Sequence, residues 1–237
     1  DRSYGVLVAI FFLVYFLIET IYRWVEIHAI SVSPLPLFPR FTANASGEEW
    51  PTHPRLLRMR DWLRAQGFRQ VQALKAEIVP GIHLRLSVYQ DADATLRVQV
   101  MFLPQASGAI SVCQVLSSQT VNGHRYVTDN LYLPFGGFYP EQWLVERNPW
   151  RRNLGGLVAR HRARLARAGD PLLPWTSDPL VDLNAQQREL EQVNTGLGFL
   201  LPHADREENG KMTTEGRYRV WKEIWLLNYL GRSVRYD

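Results

Sequence analysis

Cysteine is almost absent from this chain: Cys113 stands alone among 237 residues. No internal disulfide can form, no paired-cysteine metal site exists, and nothing demands an oxidising compartment. Lysine is nearly as scarce, with Lys75, Lys211 and Lys222 against 24 arginines. No glycine-rich loop leads into a lysine and no dinucleotide-binding fingerprint occurs, so the common phosphate cradles are excluded. The G-x-S-x-G and H-E-x-x-H signatures are missing too. Glycine (16) and proline (14) are not in excess, which argues against long disorder. No catalytic residue, metal ligand or cofactor is expected from motifs.

Charge is also missing from one place. Between Ser3 and Ile18 there is none, although the chain as a whole carries +4. The mean hydropathy of −0.21 describes the rest of the chain, not this stretch. Residues 4–22 are predicted to span a bilayer, with the helix running on toward Ile30. Glu19 and Arg23 stand at i and i+4 with the acid first, a favourable helical pair. Tyr22, Arg23 and Trp24 suit an interfacial belt. A signal peptide would need a basic leader and a small-residue cleavage site, and neither is seen. Arginines crowd the sequence after the span, while Asp1 and Arg2 nearly cancel before it. The expectation is a single-pass membrane protein with its soluble part in the cytoplasm. Asn44-Ala45-Ser46 fits a glycosylation sequon by composition alone.

Four segments follow: an anchor at 1–30, a linker at 31–50, an α+β domain at 51–175 and a helical C-terminal extension at 176–237. Pro34, Pro36 and Pro39 predict a stiff extended spacer that holds the domain off the membrane. Thr52 is the expected cap of a helix ending at Gly67. Ile82, Leu84, Leu86 and Val88 alternate with polar residues, as do Leu96, Val98, Val100 and Phe102. That period of two marks strands. Asn122-Gly123 marks a hairpin joining Ile110–Ser117 to His124–Leu133. With Val71–Ile78 this makes a four- to five-stranded antiparallel meander, because short connections leave no room for parallel crossovers. Residues 133–140 should break the sheet, and helices should then cover one of its faces.

Each chemically suggestive group has a plainer reading. Cys113 and His124 fall near one another across the predicted hairpin, yet a cysteine in an apolar strand is ordinarily core. His161 lies in an apolar helix stripe and reads as a satisfied core histidine. His203, Asp205, Glu207 and Glu208 match no zinc or EF-hand spacing. Arg147, Arg151, Arg152, Arg160, Arg162, Arg164 and Arg167, flanked by Trp143 and Trp150, suit a solvated face, lipid headgroups or an acidic partner. Nucleic acid is disfavoured by the tether and the modest net charge.

The last helix is the strongest signal after the anchor. Tyr218, Trp221, Trp225 and Tyr229, with Val220, Ile224 and Leu227, give an apolar arc wider than one sheet face needs. Part of it should meet a second surface. The expected interface residues are therefore Glu19, Tyr22, Arg23 and Trp24 at the bilayer, Trp143, Trp150, Arg151 and Arg152 in the basic region, and the four C-terminal aromatics. The functional expectation is an accessory or scaffolding subunit of a larger membrane complex, with integral membrane subunits and lipids as partners. A tethered enzyme with a dispersed site, or a lipid-headgroup-binding module, are the alternatives.

Overall fold

The computed structural model describes residues 2–46, 50–131, 139–206, 210–230 and the backbone of 234–235. Helix α1 (Arg2–Val32) is 31 residues long. At about 1.5 Å per residue it is longer than a hydrocarbon core of about 30 Å. It is the helix long and apolar enough to cross a membrane among the described residues, and none of its most apolar stretch is buried within the chain. Its C-terminal end differs: Ile27 and Ser31 are fully buried. Pro34 disfavours helix at the residue before it, which ends α1 there.

The remainder is mixed α+β. The strands are β1 (Thr42–Ala43), β2 (Arg69–Val79), β3 (Ile82–Gln90), β4 (Arg97–Pro104), β5 (Ile110–Thr120), β6 (Arg125–Asp129), β7 (Trp143–Arg147), β8 (Leu172–Leu173) and β9 (Val234–Arg235). Eight lie in the order β1-β2-β3-β4-β5-β6-β7-β9, and β8 pairs with β5. From β2 to β6 the sheet is the expected meander. The Asn122-Gly123 hairpin turns between β5 and β6, with Gly123 at φ 83° where a side chain would be strained. The sheet has more strands than the alternation predicts, and it is not wholly antiparallel. After residues 130–142 the chain returns to lay β7 parallel to β6. Most of the expected break at 133–140 lies outside the described residues; the sheet resumes at Trp143.

Helices cover both faces of the sheet rather than one. Val98, Val100 and Phe102 of β4 join a core with α2 (Pro54–Ala65) and α3 (Leu154–Ala168). On the opposite face Leu74, Leu86, Val88, Met101 and Leu103 pack with Leu180 and Leu183 of α4 (Pro179–Gly196). Both faces of β3 and β4 carry large apolar groups, so each needs its own cover. Asp178 caps α4 by accepting from the Leu180 N–H at 2.8 Å. The cap of α2 is His53, whose Nδ1 accepts from the Arg55 N–H, and not Thr52.

The proline segment is no free spacer. The Phe41 N–H donates to Asn184 Oδ1 at 2.8 Å, and Asn184 Nδ2 donates to the Phe41 carbonyl at 2.9 Å. Gln187 Nε2 donates to the Pro39 carbonyl, and Arg40 pairs with Glu191 at 3.0 Å. The chain leaving α1 is thus strapped along α4, which holds the α+β body close to the end of α1.

Candidate interaction site beside the membrane helix

Helix α5 (Thr214–Leu230) runs antiparallel along the C-terminal half of α1. The contact begins before α5 itself. Ser31 Oγ accepts the Met212 N–H at 2.9 Å, and the Ser31 carbonyl accepts the Lys211 N–H at 2.9 Å. The Lys211 ammonium donates to the Ser33 carbonyl. These donors satisfy carbonyls that the end of a helix leaves unpaired. Burial lowers the pKa of Lys211 from its ordinary value, and Arg206 adds to the effect. Next come Ile27, Met212, Leu200 and Val220 in one apolar cluster, with Trp221 and Ile224 packed against it.

The last two turns of α5 reach the level where charge begins on α1. Phe16, Glu19, Thr20 and Arg23 face Trp221, Ile224, Trp225, Asn228 and Tyr229 across a shallow groove. The Tyr229 hydroxyl donates to Glu19 Oε2. Its ring meets Phe16 edge-on, with centroids 6.1 Å apart. Glu19 also lies 3.9 Å from Arg23, which pairs with Glu26 at 3.0 Å. The Trp225 indole N–H is buried and has no acceptor among the described residues.

Two groups of residues, expected separately from distant parts of the sequence, therefore line one groove: Glu19 and Arg23 with Trp221, Trp225 and Tyr229. The wide arc of α5 is explained by two neighbours. Gly216, Val220, Glu223 and Leu227 make the buried stripe, and Trp221, Ile224 and Trp225 turn toward α1. Tyr218 stays 54% exposed. Tyr22 is exposed and neither it nor Trp24 lines the groove. Trp143 is core: it is buried, stacked on Tyr139, and covered by the Arg125 guanidinium at 4.7 Å. Trp150, Arg151 and Arg152 are exposed.

The arginines of α3 do not all face water. Arg164 is buried, donating to the Val127 carbonyl at 2.6 Å, Thr128 Oγ1 at 2.8 Å and the Leu144 carbonyl at 2.9 Å. Arg160 makes a bidentate pair with the buried carboxylate of Glu146, at 2.6 and 2.9 Å. Burial pushes the Glu146 pKa up, but hydrogen bonds from Arg160 and Asn148 outweigh it and hold the carboxyl below its usual range. On the α4 face, Arg147 grips Asp129 through Nε at 2.9 Å and Nη2 at 3.2 Å, and donates to the Tyr139 hydroxyl. Burial raises the Tyr139 pKa to about 12. These long-range pairs carry no local sequence signal.

His161 is fully buried, with Nε2 3.0 Å from Ser118 Oγ and Nδ1 2.8 Å from Thr128 Oγ1. Serine beside histidine suggests a nucleophile and its base. Here both are sealed, and the third group is a threonine rather than a carboxylate. Burial and then the Arg164 charge lower the His161 pKa to about 3, so the ring is neutral. The arrangement satisfies polar groups in a core. It also predicts a pH dependence. An unfolded chain takes up the imidazole proton near pH 6.5, and the folded one only near 3. The contribution is complete above pH 6.5 and is lost as pH falls, at a slope of up to about 1.4 kcal/mol per pH unit. Melting of the detergent-solubilised chain between pH 7.5 and 5 should show that loss, and His161→Gln should flatten it. An unchanged slope in the variant would refute the assignment.

The other suggestive groups separate. Cys113 pairs in register with Met101, while His124 sits past the hairpin turn beside Thr120. They are not neighbours. His203 Nε2 lies 2.9 Å from Glu191, which also holds Arg206. Glu207 and Glu208 lie outside the described residues. Among the described residues no group of three histidine, cysteine or acidic side chains is placed to hold a metal ion.

No family model, curated protein or solved structure matches this chain. Its function has to be read from its own geometry.

Proposed function

We propose that this protein is a single-pass, membrane-anchored accessory or scaffolding subunit of a larger membrane complex, with its α+β body on the cytoplasmic side. The observation that carries the reading is the groove between α1 and α5. It places an acid, two tryptophans and a tyrosine at the boundary of an apolar helix that has no cover of its own along its most apolar stretch. An ionisable group at the edge of a span ordinarily faces a partner or a cavity. Aromatic residues at such a place are typical anchors of an interface. The partner is a helix of another integral membrane protein, packed on the uncovered stretch of α1 against the outer rim of the groove.

The test is purification of the full chain in mild detergent. A stoichiometric membrane partner is expected. Trp225→Ala and Tyr229→Ala should each cut its recovery by about tenfold or more, the effect of losing an interface anchor. A variant on the exposed far side, Tyr22→Ala, should retain it. A monodisperse monomer with no partner would end this reading.

A further inference from the structure

A second contact with the membrane follows from the distribution of arginine. Across α2, α3 and the segments that flank them, Arg55, Arg58, Arg64, Arg151, Arg152 and Arg162 are exposed, and none forms an ion pair among the described residues. Among the described residues of this layer, Asp61 is taken by Arg60 at 3.6 Å, and Asp170, just past α3, lies beside His124 and Tyr126. The layer on the other sheet face is the acidic one, with Asp178, Asp182, Glu189 and Glu191 on or capping α4. Among the described residues, exposed arginines therefore outnumber the acids of the α2–α3 layer, while the acids of α4 include Asp182 and Glu191, which are paired with Arg97, Arg40 and Arg206.

Topology fixes where one end of the basic layer sits. β9 pairs with the end of β7, Val234 opposite Arg147. Residue 234 is only a few residues past Leu230, the end of α5 beside Phe16 and Glu19. Chain reach and strand spacing keep Trp150 within about 30 Å of Leu230. Trp150 is 57% exposed, an unusual placement for tryptophan, and two unpaired arginines follow it. Its surroundings suit an interfacial anchor: an amphipathic ring next to two cations, within reach of the end of α5 that lies beside Phe16 and Glu19.

We infer that Trp150, Arg151 and Arg152 form a tip that rests in the anionic phospholipid headgroups of the leaflet from which α1 emerges. The arginines of α2 and α3 supply the attracting field. The body is then held by two points, the α1–α5 seam and this tip. The inference rests on α1 spanning the bilayer, and the experiment separates the two.

The full chain is reconstituted into nanodiscs of phosphatidylcholine alone, or with about one third phosphatidylglycerol, each carrying brominated acyl chains near the headgroup. Trp150→Phe should remove part of the tryptophan quenching in the anionic discs. Arg151→Gln with Arg152→Gln should reduce that part at least twofold, as should high salt. Carbonate release of the chain overturns the anchor and the tip with it. An incorporated chain whose quenching is unchanged by Trp150→Phe overturns the tip alone. Equal quenching of Trp150 in neutral and anionic discs also overturns it. So does saturable binding of a short RNA or an acidic peptide with Trp150 unquenched, which would give the arginines a soluble polyanion instead.

Discussion

Asp129→Ala is expected to destabilise the fold by about 3–5 kcal/mol, the usual consequence of stranding one member of a buried ion pair. Both partners are about 2% exposed at the side chain. Arg147 keeps the Tyr139 hydroxyl but loses both bonds to carboxylate oxygen. Asp129 also accepts the Leu131 N–H, which loses a partner in the same stroke. Removing both charges should do less harm than removing one, because no ion is then left uncompensated. Asp129→Leu combined with Arg147→Met should therefore recover part of the loss. Deleting the exposed end of the Arg23–Glu26 pair should change stability by well under 1 kcal/mol. Urea or thermal unfolding of the four proteins is the measurement. A loss below about 1 kcal/mol for Asp129→Ala would mean that water reaches Arg147.

Gly216→Ala is expected to detach the start of α5. A methyl group there would stand 2.2 Å from the Phe199 carbonyl oxygen and 3.0 Å from its carbon. The obstacle is backbone, and that same oxygen already accepts the Thr213 N–H at 3.0 Å. It cannot swing aside as a long side chain would. Overpacking of this kind costs about 1–3 kcal/mol and sometimes more; with a rigid carbonyl in the way the upper end is expected. The groove should open with it, because Trp221, Trp225 and Tyr229 are carried on the same helix. Gly196→Ala provides the contrast. Nothing lies within 4 Å of its added methyl, and alanine favours helix by about 1 kcal/mol over glycine. Similar melting temperatures for the two variants would show that α5 has room to move away.

The sequence reveals elements whose signal is local. The span announces itself through absent charge, and β2 to β6 through alternation and a two-residue turn. β7 does not, since in Trp143–Arg147 two of five residues are charged and still buried. Glu146 and Arg147 look solvated until Arg160, Arg164 and Asp129 arrive from distant segments. The same blindness affects the proline segment. Its extended backbone is legible, but its attachment depends on Asn184 and Gln187, more than 140 residues away. Of the candidate site, both halves are visible as chemistry: an acid–arginine pair ending an apolar helix, and an aromatic helix too apolar for one neighbour. That they face each other is a tertiary fact. Trp143 shows the limit of residue type as a guide, because tryptophan serves a core as readily as an interface.

The distance in sequence between α1 and its own docking surface has a consequence for how the protein is made. Ser31 and its partner Met212 are separated by 181 residues. At a synthesis rate of about 5–20 residues per second, roughly 10–40 s pass between them. During that interval α1 is complete while Ile27 and Ser31 wait without the segment that buries them. The edge of β7 waits longer still, since β9 follows α5 in the chain. α5 and β9 thus act as a latch: the seam on α1 and the free edge of β7 are completed together, once both have been made. A chain truncated before Lys211, and so without α5, would keep the strap of residues 39–41 on α4 but leave Ile27 and Ser31 without their cover.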